Sequence, residues 1–207
     1  MAGNELYIAN YLLENLGKIC LEHLGEVKSI GAPMGNEGSF LIKKVSDLKK
    51  VSTQAAGKKA DIYINNKGVS LKQVGASFSF NRIQRSGIVK TLKQLDFANP
   101  NAILRKFDKL VDNFHNGKLE RRSVRWDTVF SEAEFKKILR FLMMDASPNL
   151  GISSHRAEFL MEAPASGISA QNIKVYTFDE YFEKYKDKLY IAIRRQWIGQ
   201  MSKSEHA

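Results

Sequence analysis

Eight residues separate Asp61 from Ser70, and Lys72 follows two positions later. The segments Ala60-Asp61-Ile62-Tyr63-Ile64 and Val69-Ser70-Leu71-Lys72 alternate in side-chain character with period two, and Asn65-Asn66-Lys67-Gly68 between them is turn chemistry. Together they predict a β-hairpin. Strand alternation puts Ser70 and Lys72 on one face and turns Leu71 away into the core, so Asp61, Ser70 and Lys72 converge at one end of the hairpin. A carboxylate facing a lysine in this way suits phosphodiester hydrolysis. The acid holds a divalent cation against the scissile phosphate, and the lysine positions or polarises the attacking water. Magnesium keeps several of its waters, so Asp61, the backbone carbonyl of Leu71 and the substrate phosphate suffice as a core of ligands.

The elements around the hairpin follow from periodicity and capping. Asn4 is a good N-cap, and the apolar spacing of Leu6, Tyr7, Leu13, Leu16, Ile19, Cys20 and Leu24 predicts one long opening helix ending near Gly25. Gly31 to Gly38 reads as a loop, followed by a short strand at Phe40-Leu41-Ile42. Ser86 opens a helix through Leu95, and Asn99-Pro100 caps another to about Phe114. Ser131 with Glu134 forms a capping box, with a staple between Phe130 and Phe135, for a helix to about Met144. Ala157 to Met161 reads as a strand, Thr177 with Glu180 as a second capping box for a helix to about Tyr185, and Leu189 to Ile193 as a buried strand.

Asp61, an eight-residue spacer and Ser70-Leu71-Lys72 resemble the acid-spacer-acid-x-Lys signature of the restriction-endonuclease-like nucleases. In that family an opening helix precedes a mixed sheet, the motif lies on a hairpin of the sheet, and a helix follows, the order predicted from Asn4 to Leu95. The later segments Phe141-Leu142-Met143-Met144, Ser147-Pro148, Gly151 and Ala157-Glu158-Phe159-Leu160 are similar, less specifically, to parts of small type II restriction enzymes. The resemblance implies an α/β fold with a mixed central β-sheet flanked by helices. It implies one nuclease domain over 1–207, with a catalytic core about 1–115 and DNA-recognition elements about 116–165. It also implies magnesium-dependent cleavage of double-stranded DNA at a short recognition sequence, and a cognate methyltransferase that acts on the same DNA site without binding this chain. Ser70 departs from the pattern, standing where most members carry Asp or Glu. Members with a non-acidic residue there recruit a carboxylate from elsewhere, which makes Glu37, in the loop after the opening helix, the expected second acid and third metal ligand beside Asp61 and Leu71. A palindromic target cut on both strands would call for a two-fold homodimer, whereas a monomer could nick each strand in turn.

Charge supports a polyanionic partner. The 207 residues carry a formal +10, yet Leu41 to Arg125 alone holds 19 Lys+Arg against 6 Asp+Glu, a local +13 that encloses Asp61 and Lys72. Gln73, Asn81, Arg82, Gln84 and Arg85, downstream of Lys72, and Arg121, Arg122 and Arg125 are the expected DNA contacts; a solvated basic loop is the alternative for the last three. Phe78 and Phe80 read as core in preference to base-stacking residues.

Other function classes fare worse. A single cysteine, Cys20, excludes an internal disulfide framework and a cysteine-based zinc site, and its place on the opening helix predicts burial. His23, His115, His155 and His206 show no metal-ligand spacing and read as ordinary surface or helix-end residues. Ser153-Ser154-His155 lacks the turn of a serine hydrolase, and neither a P-loop nor a dinucleotide fingerprint occurs. No apolar run reaches the roughly 20 residues of a membrane span, and the first residues lack a signal peptide's basic region, so a cytoplasmic location is expected. Two further classes stay open beside the restriction enzyme. One is a non-catalytic nucleic-acid-binding protein in which Asp61 and Lys72 form an ordinary cross-strand ion pair; the other is a structure-specific repair nuclease.

Overall fold

A computed structural model describes residues 5–35, 38–48, 57–75, 83–147 and 151–193. The chain opens with helix α1 (Glu5–Glu14), the short strands β1 (Cys20–Leu21) and β2 (Gly25–Glu26), strands β3 (Ile30–Met34) and β4 (Gly38–Leu41), the one-turn helix α2 (Val45–Leu48), and the hairpin β5 (Ile62–Ile64) and β6 (Lys67–Gln73). Helices α3 (Arg85–Gln94) and α4 (Pro100–His115), strand β7 (Ser123–Arg125) and helix α5 (Glu132–Arg140) follow. A π-helical turn over Phe141–Asp145 leads to β8 (Ala146–Ser147), β9 (Gly151–Ile152), β10 (Phe159–Ala163), β11 (Lys174–Tyr176), helix α6 (Phe178–Tyr185) and β12 (Tyr190–Ala192).

The fold is α/β, with a mixed six-stranded central sheet in the order β11-β10-β6-β5-β3-β4 flanked by helices. Among the described residues only β6 and β10 run parallel, Ser70 lying beside Leu160 and Lys72 beside Glu162. A parallel pair needs a long crossover, and the chain between β6 and β10 supplies one of about 85 residues. Much of that crossover is a separate body. The chain divides into two compact units, the first made of Met1–Phe80 and Arg140–Lys184, the second of Asn81–Leu139 and Tyr185–Ala207. The expected grouping into 1–115 and 116–165 cuts across both.

The first unit buries Ile8, Ala9 and Leu12 of α1 with Ile62, Ile64, Val69, Leu71 and Met161 of the sheet. The second packs Leu110, Val111 and Phe114 of α4 with Ile193, and Val124 and Ile191 of the paired strands β7 and β12 against them.

The hairpin forms as expected, with register Ile62↔Val69 and Ile64↔Lys67 and a two-residue turn in which Asn65 and Asn66 take φ of 50° and 64°. Those positive angles match the turn to strand twist, and asparagine tolerates them. Gly68 is required for a different reason, since a Cβ there would lie 2.2 Å from the Arg156 carbonyl oxygen. The Asn99 side chain accepts from Ala102 N at 3.0 Å, and both capping boxes close: Ser131 N donates to Glu134 Oε2 at 2.8 Å and Thr177 N to Glu180 Oε2 at 2.7 Å.

Four expectations give way. The opening helix stops at Glu14, because Gly17 turns at φ 71° and donates to Val27 O; Cys20, placed on β1, is exposed. Gly31 to Met34 is strand, not loop, and Pro33 is tolerated because the β3–β5 pairing ends at Gly31↔Tyr63, leaving no donor required of it on that side. Phe135 stacks on Trp126 with centroids 4.8 Å apart, while Phe130 packs on Phe107. Among the described residues strand β12 pairs with β7 alone, outside the central sheet, and Tyr190 is exposed instead of buried. Among the described residues no helix is long and apolar enough to cross a membrane.

Candidate active site

Asp61 enters the first unit just before β5, where its amide donates to Val69 O at 2.9 Å. From there its carboxylate reaches over β6: Oδ2 accepts from Leu71 N at 2.7 Å and from Ser70 Oγ at 3.3 Å. Lys72 Nζ in turn donates to Ser70 Oγ at 2.8 Å. The three expected residues are therefore joined in one line, carboxylate to hydroxyl to amine, with Leu71 turned into the core behind them. Within a strand the N–H and C=O of one residue point to the same side, so the Leu71 carbonyl faces the edge from which Asp61 approaches. Asp61 Oδ1 has no hydrogen-bond partner among the described residues.

Burial sets the electrostatics. It holds the Lys72 amine below the ordinary lysine range, against the pull of Asp61 and, from the start of α1, of Glu5. Lys59 is pushed down to about 8, first by burial and then by the neighbouring Lys72 charge, with Asp61 opposing. Its Nζ donates to Leu142 O at 2.7 Å, which ties the approach to Asp61 to the π-helical turn.

Two carboxylates and a second lysine absent from the sequence expectation border the line. Glu5 is one, acting on Lys72 across 67 positions of sequence. Glu162, buried, is Lys72's parallel neighbour on β10 and accepts from Lys184 Nζ at 2.6 Å. Lys184 also donates to Tyr176 Oη at 2.6 Å. Glu158 Oε1 accepts from Gly68 N at 3.2 Å, holding the hairpin to the chain entering β10.

His155 is buried as well, contrary to the surface role expected of it. Its Nε2 lies 2.9 Å from Gly35 O, a pure acceptor, so Nε2 donates there, and Nδ1 shares a hydrogen bond of 2.8 Å with the Tyr63 hydroxyl. His115 on α4 is likewise buried, and His23 pairs with Glu180 at 2.8 Å and stacks on Phe159.

The remaining expected site residues are dispersed. Glu37, Asn81 and Arg82, with Phe78 and Phe80, lie outside the described residues. Gln73 is exposed at the end of β6, and Gln84 precedes α3. Arg85 grips Asp108 through two bonds of 2.9 and 3.0 Å, and Arg125 holds Asp127 at 2.6 Å. Both guanidinium groups are thus committed to carboxylates of their own unit. Arg121 is exposed, and Arg122 lies over the Phe114 ring at 6.0 Å.

Among the described residues no group of three or more His, Cys, Asp or Glu gathers to hold a metal ion. The donors at hand are oxygens alone, the Asp61 carboxylate and the Leu71 carbonyl, with Glu5 acting on the same lysine. That set suits a hard cation that keeps most of its waters and is completed by substrate. Neither a family model, a curated protein nor a solved structure matches the chain.

Proposed function

We propose that the chain is a magnesium-dependent endonuclease that hydrolyses phosphodiester bonds in double-stranded DNA, built on a restriction-endonuclease-like core. The observation that carries this reading is the line from Asp61 through Ser70 to the desolvated Lys72 on two adjoining strands. Asp61, with the Leu71 carbonyl, would hold the ion, which supplies charge neutralisation at the scissile phosphate and a more acidic bound water. Lys72 holds and orients the attacking water, its amine kept in place by Ser70. Glu37 is the residue proposed for the family's second acid, missing from β6, and Glu5, whose charge acts on Lys72, is a further candidate for that part. The target class is short duplex sites, cut by a homodimer or by a monomer in two steps. Incubating mixed-sequence plasmid with the protein and magnesium tests this. Cutting should vanish in Asp61→Ala and Lys72→Ala and in excess chelator; undiminished cutting by either variant overturns that residue's role.

One observation favours a second reading. Ser70 is neutral and engages both Asp61 and Lys72, which is also how a buried ion pair is held apart and satisfied. A binder of that kind retains nucleic acid in chelator and leaves plasmid intact at every magnesium concentration.

A further inference from the structure

The sequence places the positive charge over Leu41 to Arg125, around the proposed centre. Division of the fold into units moves it. The unit that carries Asp61 and Lys72 holds 14 Lys+Arg and 13 Asp+Glu, a net of +1. The other holds 18 against 9, a net of +9.

Four of the nine acids of this second unit are held in local pairs. Asp108 takes Arg85, Asp127 takes Arg125, Glu134 takes Lys106 at 2.6 Å and Glu132 takes Lys186 at 3.5 Å. Left over on the solvent side of the packed helices α3 and α4 are Lys90 and Lys93, one turn apart, and Arg105 and Lys109, four positions apart. All four are exposed, and none has an ion-pair partner among the described residues. Lys90 and Lys93 line an open depression with Val89 and Gln94. The apolar side of α4, through Ile103, Phe107, Leu110, Val111 and Phe114, is buried, which orients Arg105 and Lys109 outward on a rigid support.

We infer that the second unit is a metal-independent grip for the nucleic-acid backbone, in which Lys90 and Lys93 of α3 and Arg105 and Lys109 of α4 contact phosphates. Cations spaced along helix surfaces neutralise successive phosphates and release counterions, so such binding is strong at low salt, falls steeply with salt and is indifferent to base sequence. It needs neither the Asp61 centre nor an ion. That the polyanion is duplex DNA rests on the nuclease reading above.

The test uses the full chain and fluorescein-labelled 30-base-pair DNA in chelator, with anisotropy read over a salt series. Lys90→Glu, Lys93→Glu, Arg105→Glu and Lys109→Glu together should weaken binding about 100-fold at ~0.1 M salt and flatten the log–log salt slope by about 3 to 4. A control reverses the same number of exposed charges in the first unit, at Lys18, Lys28, Lys43 and Lys44, and should bind within about twofold of the wild type. The milder Lys90→Gln with Lys93→Gln variant, checked by circular dichroism, should show a slope loss of about 2 if the quadruple variant does not fold. Equal losses in the two quadruple variants, no binding by the wild type, or equal affinity for phosphatidylserine vesicles would each overturn the inference. Plasmid cutting with magnesium, run in parallel, separates it from the nuclease reading. A wild type that binds and never cuts keeps the grip and sinks the nuclease, whereas one that cuts while the helix variants bind unchanged does the reverse.

Discussion

Lys72 Nζ donates to Ser70 Oγ at 2.8 Å, two residues back along the same strand. On the nuclease reading, a neutral hydroxyl thus occupies the position from which a carboxylate would both hold the amine and face the proposed ion. Ser70→Asp restores that charge beside Asp61. If the position borders a metal, the magnesium concentration for half-maximal cutting falls about tenfold, as expected from one added carboxylate among few ligands. Ser70→Ala leaves Lys72 without its acceptor and lowers the cutting rate about tenfold, with the magnesium requirement unchanged. An Asp variant with wild-type magnesium dependence places the ion elsewhere.

Glu5 offers a separate check on how the amine is tuned. Its negative charge stabilises the protonated Lys72, against the burial that lowers it. Glu5→Gln removes that attraction, so the ammonium is lost at lower pH and the alkaline limb of the rate profile moves toward neutrality. Profiles from pH 6 to 10 at saturating magnesium measure the displacement, and superimposable limbs mean that Glu5 does not act on the working lysine.

What could be read in advance was what is local. Asn65-Asn66, the two capping boxes and the Asn99-Pro100 start each involve residues within four positions of one another, so hairpin, helix starts and the convergence of Asp61, Ser70 and Lys72 were legible. Asp127 lies two residues from Arg125, and this pair too could have been foreseen. The rest depends on tertiary partners. Asp108 reaches Arg85 across 23 positions, and Glu162 becomes Lys72's neighbour only when β10 joins β6 across 90 positions. The charge balance misled for the same reason, since each compact unit is assembled from two distant chain segments and a window along the sequence mixes them. The opening helix was overread because apolar residues after Gly17 keep helical spacing while packing from turns and short strands.

Lys59 makes the first unit's stability depend on pH. Burial holds its amine at about 8 in the fold, below the ordinary lysine value of 10.5. Between those values the unfolded chain binds the proton that the folded chain has released, so stability rises as pH climbs from about 7.5 toward 10. Lys59→Met removes this contribution. Urea midpoints at pH 7, 8 and 9 should therefore climb less steeply in the variant than in the wild type. Parallel pH dependences would show that Lys59 keeps an ordinary proton affinity.

The hairpin that presents Asp61 and Ser70 is held at its turn by one side chain. Asn65 Oδ1 accepts from Lys28 N at 2.9 Å and Ser29 N at 3.2 Å, while Nδ2 donates to Leu24 O at 3.1 Å and Glu26 O at 2.7 Å. The same residue sits at φ 50°, where a β-carbon is strained unless a short polar side chain compensates locally. Asn65→Ala loses all four bonds and keeps the strain, for an expected cost of about 3 kcal/mol. Asn65→Gly loses the same bonds but relaxes the backbone, so it should be the more stable of the two by about 1 kcal/mol. Urea denaturation of both variants measures the difference. Alanine equal to glycine would show that the turn adapts its backbone, and either variant at wild-type stability would show that the turn is fastened by other contacts.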